Sequence, residues 1–115
     1  MVRTRIAPSP TGEDLHIGSI HTALINWVYA KKNGGQFIVR IEDTDRERLV
    51  KGSEEKMLDT LKKYGLEYDE GPDKEGLCGP YRQSERLETY EIYVNELLEK
   101  GFAYYCFCSK ERLDK

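Results

Sequence analysis

The chain has 115 residues, enough for one domain with a modest core. Hydrophobic residues make up 38% and charged residues 34%, which excludes a disordered polar tract, and no apolar run approaches the roughly 20 residues that span a bilayer. With 18 Lys and Arg against 21 Asp and Glu, the net charge of −3 excludes a generally basic nucleic-acid coat and leaves room only for a local positive patch.

Residues 3–7, Arg-Thr-Arg-Ile-Ala, predict a first strand, ended by Pro8 and Pro10, which cannot donate to a ladder. Pro8-Ser9-Pro10-Thr11-Gly12 reads as a loop. Ile20, Ala23, Leu24, Trp27 and Val28 recur at helical spacing and predict a helix over 17–33, stopped by Asn33-Gly34-Gly35. Phe37-Ile38-Val39-Arg40-Ile41 is a dense apolar run suited to a buried parallel strand. Ser53 is the expected N-cap of a second helix with the stripe Met57, Leu58, Leu61 and Tyr64 and with Gly65 as its C′ residue. A short extended segment follows near 66–69. Ser84 is expected to cap a third helix, whose face is Leu87, Tyr90, Val94, Leu97 and Leu98, closed by Gly101. Tyr90 and Tyr93 are expected to pack in the core. Phe102 to Cys108 is rich in β formers, and Ser109 to Lys115 reads as the first turns of another helix.

This alternation points to an α/β fold, the first half of a Rossmann-like doubly wound parallel sheet. Right-handed crossovers are expected to put helices on both faces. The helix start at 109–115 has neither partner nor cap, so the chain is expected to be part of a longer protein.

Ligands of open α/β sheets sit at the carboxyl ends of the strands, which directs attention to the strand–loop–helix at 5–24. Gly12 is expected to allow a tight turn. His16-Ile17-Gly18-Ser19 stands where the helix begins, and a helix N-terminus offers free N–H groups to a triphosphate. Gly18 would let a nucleotide approach without a Cβ in the way. His16 and Ser19 add donors where charge grows. The plainer alternative is a glycine turn with a surface histidine, and composition alone does not choose between them.

The block Arg5-Ile6-Ala7-Pro8-Ser9-Pro10-Thr11-Gly12 with Leu15-His16-Ile17-Gly18 resembles the H-I-G-H region of class I aminoacyl-tRNA synthetases, and more narrowly the glutamyl branch with its A-P-S-P-T-G loop. Three further blocks agree: Phe37 to Asp45, Glu70-Gly71-Pro72, and Gly79 to Arg86. The fourth motif position is Ser19 instead of histidine, and members of that branch often carry a small hydroxyl there. His21 cannot replace it, because two residues along a helix turn a side chain about 200° away.

The resemblance implies a reaction and a site. Glutamate attacks the α-phosphate of ATP, with Mg2+ accompanying the nucleotide, and the glutamyl group passes to the acceptor end of tRNA(Glu). His16, Gly18 and Ser19 would serve adenylate formation, and Pro10 and Gly12 would join them around ATP. Arg5 would meet the substrate's side-chain carboxylate, Ala7 and Ser9 would line the pocket, and Glu42 would take the ammonium. The plainer readings are a surface arginine and a solvated acidic loop at 42–45. Asp45 and Arg48 are implied to help position the tRNA acceptor end. Arg82 and Arg86 are candidates for RNA phosphate contact or for ion pairs with Glu85 or Glu88. Residues 1–101 would be the first half of the nucleotide-binding domain, and 102–115 the start of the inserted acceptor-end-binding subdomain. The full-length enzyme is expected to be a cytoplasmic monomer without a membrane contact.

Cys106 and Cys108, one residue apart, resemble the C-x-C of some bacterial members, where a second Cys/His pair some two dozen residues on completes a zinc site. The alternative is two thiols alternating with Phe107 on a strand. Cys78 is expected to be a bystander, and an odd count of three cysteines in a chain with no secretory signal does not suggest a disulfide framework. No K-M-S-K-S-type loop occurs, so the chain alone is expected to bind ATP weakly and not to complete adenylate formation. Two rival readings stand. A paralogue that glutamylates a modified base of tRNA(Asp), the glutamyl-queuosine type, resembles I-E-D-I-D-P-P-R where this chain has Ile41-Glu42-Asp43-Thr44-Asp45-Arg46-Glu47-Arg48. A non-catalytic nucleotide- or tRNA-binding module is the other.

Overall fold

Alternating side chains put Arg3–Ile6 into a strand, β1, and the apolar run Gln36–Val39 into a second, β2. In the computed structural model, which describes residues 1–114, the two pair in parallel, Arg5 beside Ile38 and Ile6 beside Val39. Lys115, the last residue of the predicted terminal helix and subdomain, lies outside the described residues.

The other edge of β2 is covered by two short stretches. Asp69 N donates to Phe37 O at 2.8 Å and Val39 N to Glu70 O at 3.0 Å. Beyond them Ile41 N donates to Tyr81 O and Gln83 N to Ile41 O, both at 2.9 Å. The extended segment predicted near 66–69 thus leads into a third sheet position, held by isolated parallel bridges at Glu70 and Arg82. Residues 71–80 make an excursion between the two.

Helices α1 (Ile17–Lys32) and α2 (Ser53–Lys63) join these strands. Ile6, Phe37, Val39 and Ile41 meet Ala23 and Ala30 of α1 and Leu58 and Leu61 of α2 in one core cluster. Both helices therefore cover the same sheet face, which corrects the expectation of helices on both. The three strand positions follow one another in space, so two crossovers of the same hand leave both helices on one face. Arg3, Arg5, Ile38 and Arg40, one residue out of phase with the core set, fall on the opposite face. In α1, Ile20, Ala23 and Trp27 turn inward as expected, whereas Leu24 and Val28 stay exposed.

Two predicted caps are also corrected. The cap position of α2 is Gly52, at φ 79°, and Ser53 is the first helical residue, its buried hydroxyl donating to the Gly12 carbonyl. Ser84 lies inside a 3₁₀ turn, Gln83–Arg86, ahead of α3 (Leu87–Glu99), and donates its N–H and hydroxyl to Asp43 at 2.8 and 2.6 Å. In both cases an acceptor elsewhere in the fold competes with the local helix end. Gly65 follows α2 at φ 70°, as its C′ role requires.

α3 buries none of its residues, and Tyr93 is exposed, so the expected core packing of Tyr90 and Tyr93 does not occur. Tyr90 instead lies half-buried under the Arg86 guanidinium, 6.0 Å from its ring centre. Residues 102–108 form no strand. Their backbone finds no ladder among the described residues, and Phe102, Tyr104 and Phe107 stand exposed. A single helical turn, α4 (Lys110–Leu113), follows. Among the described residues no helix is long and apolar enough to cross a membrane.

Candidate active site

The turn between β1 and α1 is braced from α2. Thr60 Oγ1 donates to Asp14 Oδ2 at 2.9 Å, and Asp14 Oδ1 accepts the Leu15 N–H at 2.7 Å. Val50 N donates to Pro10 O at 2.9 Å, and Ser53 holds the Gly12 carbonyl. The braced turn walls two adjoining clefts of about 230 and 370 Å³. Ala7, Pro8, Leu15 and Ser19 line both, Arg5 and Thr22 the first, and Ser9, Gly12, His16 and Met57 the second. Pro10 is buried behind the turn and lines neither.

His16 is the N-cap of α1, and it caps through its own ring: Nδ1 accepts the Gly18 N–H at 3.1 Å. A ring that accepts at Nδ1 carries its proton at Nε2, and that N–H faces Ser19 Oγ at 3.3 Å. Two of the amides expected to be bare are therefore engaged, because Gly18 N serves the histidine and Ser19 N the His16 carbonyl, at 3.0 Å. What the exposed turn offers to the cleft is the His16–Ser19 pair. Gly12 has no positive φ, and a Cβ there would meet nothing closer than 4.0 Å, so the turn does not require glycine at that point. Gly18 differs. A Cβ there would stand 3.0 Å from His16 Cε1 and 3.1 Å from Nδ1. Glycine makes room for the imidazole, where the sequence suggested room for a nucleotide. Gly18→Ala is expected to leave thermal stability level or slightly raised, since alanine gains about 1 kcal/mol of helix propensity over glycine. The displaced ring should lose its Nδ1 contact with the Gly18 N–H and its Nε2 contact with Ser19. Melting curves beside the His16 imidazole NMR shifts check both halves, and unchanged shifts would remove the steric role of Gly18.

At the carboxyl end of the sheet, Arg5 and Glu42 come together on the face away from the core. Glu42 N donates to Pro8 O at 2.9 Å, which continues the extended backbone of β2 beyond its paired residues. Glu42 Oε1 then accepts from Arg5 Nη1 at 3.3 Å and from Arg40 Nη2 at 3.4 Å. Neighbouring Asp43 is turned away: Ser84 occupies both its oxygens, and although burial opposes ionisation, these bonds hold its carboxyl below the usual aspartate range.

The whole chain, residues 1–115, matches the family model for class I tRNA synthetases (E and Q), catalytic domain. The chain belongs to this family. Glutamate–tRNA ligase of Thermus thermophilus is 59% identical over 115 residues, all of this chain and 24% of that protein. The Acidothermus cellulolyticus glutamate–tRNA ligase is 58% identical over 112 residues, 97% of this chain and 22% of that protein. Among solved structures, a glutamate tRNA ligase of Elizabethkingia meningosepticum in complex with its amino acid superposes with a TM-score of 0.87 at 47% identity, covering 98% of this chain and 22% of that one. This class I synthetase chain therefore spans about a quarter or less of the length of these relatives.

Other candidates in the synthetase chain fall as follows. Asp45 and Arg48 pair with each other, Arg48 Nε donating to Asp45 Oδ2 at 2.6 Å, and that bond draws the Asp45 carboxyl below its usual value. Arg82 is not free for phosphate, because it forks onto Glu54 at 2.8 and 3.0 Å and reaches Glu85 at 3.1 Å. Arg86 donates to the carbonyls of Cys78 and Pro80, at 3.1 and 2.9 Å. Cys106 and Cys108 are both exposed, and no group of three or more His, Cys, Asp or Glu gathers among the described residues. Two thiols alone do not make a four-coordinate zinc site. Sequence reasoning did not single out Arg40, which bonds Glu42, or Thr22, which lines the first cleft. Arg40 was within reach, since it stands two residues from Glu42 on one side of an extended strand.

Proposed function

We propose that this chain is the nucleotide- and glutamate-binding part of a glutamate–tRNA ligase, which joins L-glutamate to tRNA(Glu) through a glutamyl-adenylate. The observation that carries the reading is the pairing of Arg5 with Glu42 on one sheet face, next to the cleft walled by Ala7, Ser9, His16 and Ser19. A guanidinium and a carboxylate side by side suit the two ends of a dipolar amino acid. Arg5 takes the side-chain carboxylate, Glu42 the ammonium, and Ala7 and Ser9 the stem between. This orients the α-carboxylate toward the His16–Ser19 side of the cleft, where ATP lies beside Gly12.

A carboxylate oxygen then attacks the α-phosphorus and pyrophosphate leaves. The acyl group passes to a ribose hydroxyl of the tRNA end, and AMP is released. The chain's residues supply alignment and donors, not a nucleophile. His16 Nε2–H and the Ser19 hydroxyl stabilise charge that grows on the phosphate oxygens. Magnesium would offset the charge of the triphosphate. Asp45 and Arg48 help position the tRNA end, residues 1–101 form the nucleotide-binding half, and residues 102–115 begin the acceptor-end subdomain. The enzyme works in the cytoplasm as a monomer. Zinc enters only if residues elsewhere join Cys106 and Cys108.

The test is exchange of labelled pyrophosphate into ATP by the longer protein to which this chain is proposed to belong, with tRNA(Glu) present. Glutamate should support exchange, and the 115-residue chain alone should not. Absence of glutamate-dependent exchange in the longer protein, or robust exchange by the chain alone, would show the reading wrong.

A further inference from the structure

We infer that Arg40 is a positioning and specificity-determining residue of the amino-acid site. It keeps Glu42 in place when Arg5 turns to the substrate, and it sets the charge of the site to suit an amino acid with one net negative charge. The inference rests on the assignment of Arg5 and Glu42 to glutamate in the proposed function.

The sheet face away from the core carries two ion-pair groups, and they differ. Arg3 grips Glu70 with two bonds, at 2.7 and 2.9 Å, and Tyr81 donates its hydroxyl to the same carboxylate. That group is closed. The second is open. One oxygen of Glu42 is shared by two guanidiniums, at 3.3 Å from Arg5 and 3.4 Å from Arg40. Charge-assisted bonds of this kind settle at about 2.7–2.9 Å, so both contacts are slack. Arg40 Nε is buried and has no partner among the described residues. The side chains of Arg5 and Glu42 are 41% and 37% exposed, and that of Arg40 is 25% exposed.

Among the described residues, two guanidiniums against one carboxylate leave one positive charge uncompensated. Asp43 cannot supply the balance, because Ser84 holds both its oxygens. Glutamate brings two carboxylates and one ammonium. When its side-chain carboxylate draws Arg5 and its ammonium approaches Glu42, Arg40 is the remaining cation on Glu42 and holds that carboxylate toward the ligand. The charges of site and ligand then cancel. Glutamine, with no net charge, leaves the surplus in place and gains nothing from it.

The test uses the longer protein and glutamate-dependent pyrophosphate exchange with Arg40→Gln, Arg40→Lys, Glu42→Gln and the Arg40→Gln/Glu42→Gln double variant. Arg40→Gln should raise KM for glutamate by about tenfold to a hundredfold, with a much smaller change in kcat, and should lower the preference for glutamate over glutamine in proportion. Arg40→Lys keeps the charge and should recover part of both. In the Glu42→Gln background, Arg40→Gln should add no more than about twofold, because the group it holds is gone. An unchanged KM and preference in Arg40→Gln overturns the inference, and so does a loss that adds in full to that of Glu42→Gln. Should Arg40→Gln not fold, Arg40→Lys carries the test, since loss of the planar fork should still raise KM measurably. No exchange by the parent protein defeats the proposed function itself; parent exchange with indifferent Arg40 variants defeats only the role of Arg40.

Discussion

In the longer protein of the proposed function, Arg5→Gln is expected to lower kcat/KM for glutamate by about a thousandfold or more, from the cost of leaving the substrate's side-chain carboxylate without its cation. The change keeps a polar head on β1 and does not touch the core, because Arg5 faces away from Ile6 and α1. Folding stability should therefore hold to within about 0.5 kcal/mol, as for a surface substitution. Glutamine in place of glutamate as substrate should be affected far less, since Arg5 serves a charge that glutamine lacks. A kcat/KM that falls equally for both amino acids would mean that Arg5 shapes the strand and not the ligand.

The second large effect belongs to the other ion pair on the same face. Glu70 is 3% exposed, forks onto Arg3, accepts from Tyr81, and is covered by the backbone at Gly76. Removing one partner of such a buried pair strands the others, and because Arg3 is partly solvated the cost of Glu70→Gln should be about 2–3 kcal/mol. The Arg3 hydrogen bond, more than burial opposes it, holds the Glu70 carboxyl below the ordinary value of 4.5. Folded Glu70 thus gives up its proton more readily than unfolded Glu70. Its contribution to stability is complete above the unfolded value and is lost as pH falls through the lower folded one. Urea unfolding of the chain and of Glu70→Gln should therefore differ at pH 7, and the difference should narrow as the pH is lowered from 7 to below 4.5. A difference that stays constant across that range would mean the charge of Glu70 contributes nothing.

Both predictions concern residues that differ in how visible they were. The roles of Arg5 and Glu42 came from the family resemblance; only their placement could be read from the chain, because their strands could, and the register pairs Arg5 with Ile38. The turn at His16 was legible for the same reason, lying between a proline-ended strand and a periodic helix. Its inner chemistry was not, since a histidine ring that caps its own helix and excludes a Cβ from Gly18 depends on a side-chain rotation no pattern encodes. Ser53 and Ser84 mislead because each stands at a helix start, while its true acceptor, Gly12 or Asp43, lies 41 residues earlier in the chain. Local propensity cannot see such partners. Residues 102–108 have the β-forming composition of a strand but no neighbour to complete a ladder among the described residues, and α3 has the stripe of a core helix without a core against it. Composition states what a segment can bury; a partner decides whether it does.

The most direct measurement is a crystal structure of the longer protein with a non-hydrolysable glutamyl-adenylate analogue bound. The substrate's side-chain carboxylate should lie about 2.7–2.9 Å from the Arg5 guanidinium and its ammonium against Glu42, with the adenylate phosphate beside His16 and Ser19. An analogue bound the other way round, or one whose carboxylate is met by a cation other than Arg5, would contradict the assignment.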